Sequence, residues 1–155
     1  MSMEIIYTGN EQMSNFTYCS NLTKNSKIVK HFDLNYEGVA GKEFRTKNET
    51  FETPLNGKIL IDYPLAVVVE EEVTVTSLKE LVAAIRKLYK NIYKHEVKSS
   101  TKVAMPMYKE NPACSLINRN TTNGDFGIWG HDIGDLCFSS IDIYEDGYIV
   151  PSIDS

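Results

Sequence analysis

The sequence predicts an α+β fold: a mainly antiparallel sheet with one long amphipathic helix on one face and a C-terminal β-hairpin. Three observations predict it. Apolar residues recur at three- and four-residue spacing from Leu78 to Ile92, the period of one helix face. Several other runs are short and β-branched or alternating, as over residues 27–34, 65–69 and 136–144. Those runs do not alternate with helices, so nothing asks for a parallel, doubly wound sheet.

In chain order, residues 3–8 read as a short strand closed by Gly9-Asn10, and the polar stretch 10–26 reads as loop. Residues 27–34 alternate and predict a strand, after which Gly38 and Gly41 break the chain. Residues 50–55 and 58–62 flank Asn56-Gly57. Asn-Gly tolerates the two positive φ angles of a type I′ turn, so a hairpin is expected there, and Pro54 puts its first arm toward an edge. Tyr63-Pro64 interrupts the pattern, and the apolar run 65–69 reads as a further strand. Glu70-Glu71-Glu72 predicts an exposed turn or bulge before Val73 and Val75 resume it.

The helix is expected from about residue 77 to 95. Ser77 and Glu80 have the spacing of a capping box, in which each side chain satisfies an open backbone donor. Leu78, Leu81, Val82, Ile85, Leu88, Tyr89 and Ile92 form its apolar stripe, leaving Lys79, Arg86, Lys87, Lys90 and Lys94 for a solvated basic face. Residues 76–102 hold seven Lys or Arg against two Glu, a local charge of +5. Residues 96–135 show no sustained period, so either short elements lie there (101–105 or 115–118) or the span is a functional loop. Residues 136–144 predict a strand with a slip near Ser139-Ser140. Asp146-Gly147 then turns the chain into a second arm, which Pro151 places near an edge.

The whole chain of 155 residues reads as one domain. Its net charge of -5 argues against a bulk electrostatic nucleic-acid binder. The charge is unevenly spread: residues 120–155 carry seven acids and no Lys or Arg. No signal peptide or apolar run of membrane-spanning length is read, and the three cysteines (Cys19, Cys114, Cys137) have no close pair. A cytoplasmic protein with reduced thiols is therefore expected.

The segment 118–135, NRNTTNGDFGIWGHDIGD, concentrates the chemistry. Four of nine glycines fall in it (Gly124, Gly127, Gly130, Gly134), with the single tryptophan, Trp129, and with His131, Asp132 and Asp135. Glycine density implies unusual φ/ψ or close backbone approach. His131, Asp132 and Asp135 could act in acid–base chemistry or hold a divalent metal, since imidazole and carboxylate suit zinc, manganese or iron. The plainer alternative is that the aspartates make turn and capping contacts while His131 bonds to backbone. His131-Asp132 is the dipeptide of the HD hydrolases, but their further histidines and all-helical context are missing. Gly127, Gly130 and Trp129 could line a ligand pocket, with Arg119 nearby for an anionic group. Equally, Trp129 could cap the core. Met105-Pro106-Met107 could serve as a flexible apolar contact surface or simply fill a gap. Neither Cys114 nor Cys137 neighbours a histidine.

The segments Ile61-Asp62-Tyr63-Pro64-Leu65, Tyr89-Lys90-Asn91-Ile92-Tyr93 and Gly127-Ile128-Trp129-Gly130-His131-Asp132, leading to Asp135-Leu136, resemble a pattern of small α+β proteins to which no activity is attached. The resemblance spans residues 58–155 and implies no catalytic residue. With no complete catalytic or cofactor motif, the sequence favours a small binding protein that uses the 118–135 loop against a protein or a small anionic ligand. The alternatives are a small hydrolase using His131 with Asp132 or Asp135, with or without a divalent metal, and a phosphate- or nucleotide-binding module using Arg119 and Trp129.

Overall fold

The computed structural model describes residues 3–9, 12–101 and 121–155. It contains six strands: β1 (Glu4–Tyr7), β2 (Ile28–Gly38), β3 (Thr50–Ile61), β4 (Val68–Ser77), β5 (Cys137–Tyr144) and β6 (Tyr148–Asp154). Two helices, α1 (Asn15–Thr23) and α2 (Leu78–Ser99), and a 3-10 turn (Ile133–Asp135) complete the elements. The strands form one sheet in the order β1-β4-β3-β6-β5-β2. Every neighbouring pair is antiparallel except β3 and β6, which run parallel through Lys58–Tyr148 and Ile59–Ile149.

Helix α2 forms where its apolar period demands. All seven stripe residues are buried, and the main core joins them to Ile59, Ile61 and Val69 of the sheet. Each fully buried Leu or Ile contributes about 1.5–3 kcal/mol, far more than helix propensity supplies. The Ser77 hydroxyl accepts from Glu80 N–H at 3.2 Å. The Glu80 carboxylate reaches one residue further back than the sequence suggests, to the Thr76 N–H and hydroxyl at 3.0 and 2.6 Å. The helix continues to Ser99, past its expected end. Arg86, expected on the solvated face, is buried: its Nε donates to the Gly38 carbonyl at 2.9 Å, and its Nη2 lies 3.9 Å from the buried Glu37.

Residues 15–23, expected as loop, form α1, with Ser14 accepting from Thr17 N–H at its start. Its one buried residue, Cys19, packs with Leu60 and Val68. Those two point opposite to Ile59, Ile61 and Val69, as strand alternation requires, so α1 covers the second face of the sheet. Burial, then the Asp62 charge, push the Cys19 thiol up to about 12.

The expected hairpin at Asn56-Gly57 is instead the middle of the continuous strand β3. A Cβ on Gly57 would stand 2.5 Å from the Gly147 carbonyl. Glycine here admits the turn between β5 and β6, a need that leaves the same local signature as a tight turn. Pro54 lies between Thr50 and Leu55, where the β3–β4 register slips. The three glutamates form no turn: Glu70, Glu71 and Glu72 pair with Leu60, Ile59 and Lys58 in unbroken register. The slip near Ser139 is present, between Phe138 and Ser140. β6 is internal rather than an edge, and Pro151 is tolerated because the ladder to β3 ends at Ile149. Among the described residues, no helix is long and apolar enough to cross a membrane.

Candidate functional site

The glycine-rich loop folds around one buried carboxylate, Glu96, in the last turn of α2. Glu96 is fully buried. Its Oε2 accepts from the Thr122 hydroxyl and from the N–H groups of Gly124 (2.9 Å) and Gly127 (3.2 Å), and its Oε1 accepts from Phe126 N–H (2.9 Å). Hydrogen bonds to a charged group are worth about 1.5–3 kcal/mol each. Four of them offset the several kcal/mol that burying a carboxylate costs. Thr122 also receives Ile128 N–H at 2.8 Å, and Trp129 N–H donates to the Pro64 carbonyl at 2.8 Å. His95 holds Asp125 at 2.7 Å on the outer side. Gly127 and Gly130 take φ of +60° and +57°, which an L side chain resists.

This backbone presents Trp129 outward. Its side chain is 44 % exposed, while its neighbours Ile128 and Phe126 are sunk in the core. The Trp129 ring meets His131 edge-on at 5.3 Å, and Tyr63, from the link between β3 and β4, lies 6.1 Å from His131 on a tilted plane. The Tyr63 hydroxyl contacts Ser155 Oγ at 2.6 Å. The three rings form a small aromatic surface at the C-terminal end of α2.

The acids below it serve the turn. Asp132 caps the 3-10 turn, and Asp135 returns a 3.2 Å contact to the Asp132 N–H in a reciprocal capping box. His131 Nδ1 stands 3.9 Å from Asp135 Oδ2, and the His131 carbonyl accepts from the Tyr93 hydroxyl at 2.8 Å. Burial, then the charges of Asp132 and Asp135, raise the Tyr93 phenol well above its ordinary range. Among the described residues, no three His, Cys, Asp or Glu side chains are grouped as metal ligands would be. Gly127, a candidate for lining a ligand pocket, directs its N–H at Glu96.

Arg119, Cys114 and Met105-Pro106-Met107 lie outside the described residues. The imidazole most closely flanked by carboxylates is His31 rather than His131. Its Nδ1 bonds to Asp142 across the β2–β5 pair, and its Nε2 stands 3.0 Å from Asp33. The two nitrogens point to different acids, so this is a clamp between strands and not a cup for one ion. Hydrogen bonding to Asp142, then to Asp33, raises the His31 pKa.

The residue that sequence reasoning missed is Glu96. Its one available signal was its position after the apolar stripe, in phase with Ile85, Tyr89 and Ile92. The chain matches no protein-family model, no curated protein and no solved structure.

Proposed function

We propose that the chain is a small interaction module whose working surface is the Trp129–His131–Tyr63 patch, and that its partner presents basic side chains. The supporting observation is an exposed indole on backbone fixed by a buried carboxylate. Exposed aromatics on rigid supports are the side chains that dominate binding interfaces, and a preorganised loop loses little entropy on binding. The partner's charge follows from the surroundings. Asp135 is half-exposed beside the patch, and residues 120–155 carry seven acids and no base. An Arg or Lys could then lie over the indole face with an acid alongside. The metal-assisted reading receives less support, because among the described residues no three His, Cys, Asp or Glu side chains are grouped as ligands. So does the acid–base reading, because His131 Nδ1 and Asp135 Oδ2 stand 3.9 Å apart, beyond a hydrogen bond. The nucleotide reading depends on Arg119, which lies outside the described residues.

Trp129 is the only tryptophan, so its emission reports the patch directly. Titration with an Arg- and Lys-rich peptide should change that emission saturably and lose effect as salt rises. A Glu-rich peptide of equal length should be silent. Equal responses to both peptides, or none to either, would remove this reading.

A further inference from the structure

The sheet has a second feature at the other end of α2. Strand β3 meets β6 only at Lys58 and Ile59, so among the described residues its first half pairs with no strand on that flank. What remains is a groove of about 470 Å³ lined by Phe32, Phe51, Leu55 and Ile143, with Lys30 and Asn56 among its polar groups. The Phe32 and Phe51 rings lie 5.9 Å apart at 39°. Lys30 is the only charged residue among the described residues that line it. Its ammonium sits 5.3 Å from the centre of the Phe32 ring and pairs with Glu49, which leaves further N–H donors on the same nitrogen.

We propose that this groove binds a small aromatic anion, its flat body against Phe32 and Phe51 and its carboxylate or sulfonate at Lys30. The volume lies within the roughly 300–1,000 Å³ of small-molecule sites. The walls are apolar and aromatic, and the one lining cation, Lys30, offers the N–H donors left over from its pair with Glu49 to an acidic group on the ligand. The groove is independent of the Trp129 patch. Thr50, next to Phe51, pairs with Ser77 at the start of α2, whereas the patch hangs from Glu96 at its end. The helix between them has 22 residues, about 33 Å at 1.5 Å per residue.

Anilinonaphthalene sulfonate is the probe, titrated into protein whose near-ultraviolet circular dichroism shows native packing. Saturable one-to-one binding is expected, with methyl shifts at Leu55 and Ile143. Lys30→Met should weaken it about tenfold, the loss of one charge-assisted contact. Thr53→Trp, at an exposed position on the groove, should block it without disturbing the fold. The uncharged anilinonaphthalene should bind no better to the parent than to Lys30→Met. Trp129→Ala should leave binding unchanged, which separates this site from the patch. Absent saturation, binding indifferent to both groove variants, or a dimer dispersed by Lys30→Met would each overturn the proposal, the last by assigning the groove to a second copy.

Discussion

Glu37, buried against α2, and Glu96, buried in its last turn, are stabilised in different ways. Glu37, at the end of β2, accepts from the Thr46 hydroxyl at 2.7 Å and from the N–H groups of Arg45 and Thr46 at 2.7 and 2.6 Å. It also has Arg45 and Arg86 within 3.7 and 3.9 Å. Burial raises its pKa, but the Thr46 hydroxyl, the two N–H groups and the Arg45 charge outweigh that, and the net shift is downward. Around Glu96 the bonded donors are a hydroxyl and backbone N–H groups, with no cation among its ion pairs within the described residues. A cation and dipoles share the work at one carboxylate, and dipoles alone do it at the other. Both carboxylates hold loop backbone, Glu37 through two N–H groups between β2 and β3 and Glu96 through three in the glycine-rich loop, but only the second does so without a cation.

The sharpest way to break this comparison is Glu96→Ala. It strands three N–H groups and a hydroxyl at once, and about 3–5 kcal/mol of unfolding free energy should disappear in denaturant titration, with a shift in Trp129 emission. Glu37→Gln should cost less, about 1–2 kcal/mol, since an amide oxygen still accepts from Arg45 and Thr46. Its pH dependence sharpens the contrast. A carboxyl with a lowered folded pKa adds stability above its unfolded value, ordinarily 4.5, and loses it as pH falls through the folded value. Unfolding curves from pH 6 down to pH 2 should therefore be flatter in Glu37→Gln than in the parent.

Gly124→Ala probes the steric side of the Glu96 cradle. A Cβ there would stand 2.5 Å from both Glu96 Oε1 and Ser99 Oγ, so about 1–3 kcal/mol should be lost. Trp129→Ala should change stability by no more than about 0.5 kcal/mol, as for other exposed positions, while abolishing the response to a basic peptide. The smallest effect concerns His31, which is exposed. A raised histidine pKa favours the fold below the unfolded value of 6.5 and ceases to do so as pH rises through the folded one. NMR titration should place its midpoint above 6.5, and Asp142→Asn should bring it down.

How much of this was legible in the sequence depended on range. The α2 stripe was legible because burial repeats every three or four residues along one element. The capping serine and the slip at Ser139 were legible for the same reason, being local. Helix α1 was not, because a single buried residue, Cys19, gives no period to read. Asn56-Gly57 misled because a glycine needed by a distant carbonyl looks like a glycine needed by its own turn. Of the candidate surface, the glycine density around Trp129 stands out in the sequence, and the local spacing of Asp132 and Asp135 suggests their turn contacts. Arg86 and Glu96 were not identified as buried. Their partners lie 48 residues behind and 26 to 31 ahead, and nothing in the local pattern of charges announces a partner at that distance.

The strand order carries a consequence for how the chain is made. β5 and β6 follow the other described strands in chain order, yet they occupy the interior of the sheet and separate β3 from β2. Until residues 137–154 have been synthesised, β2 has no strand to pair with, since β5 is its one neighbour among the described residues. A nascent chain that already holds β1 to α2 carries the apolar faces of β2 and β3 without the hairpin that joins them. Such surfaces invite association during synthesis. Assembly of this sheet thus waits for the β5–β6 hairpin, which closes it from the inside.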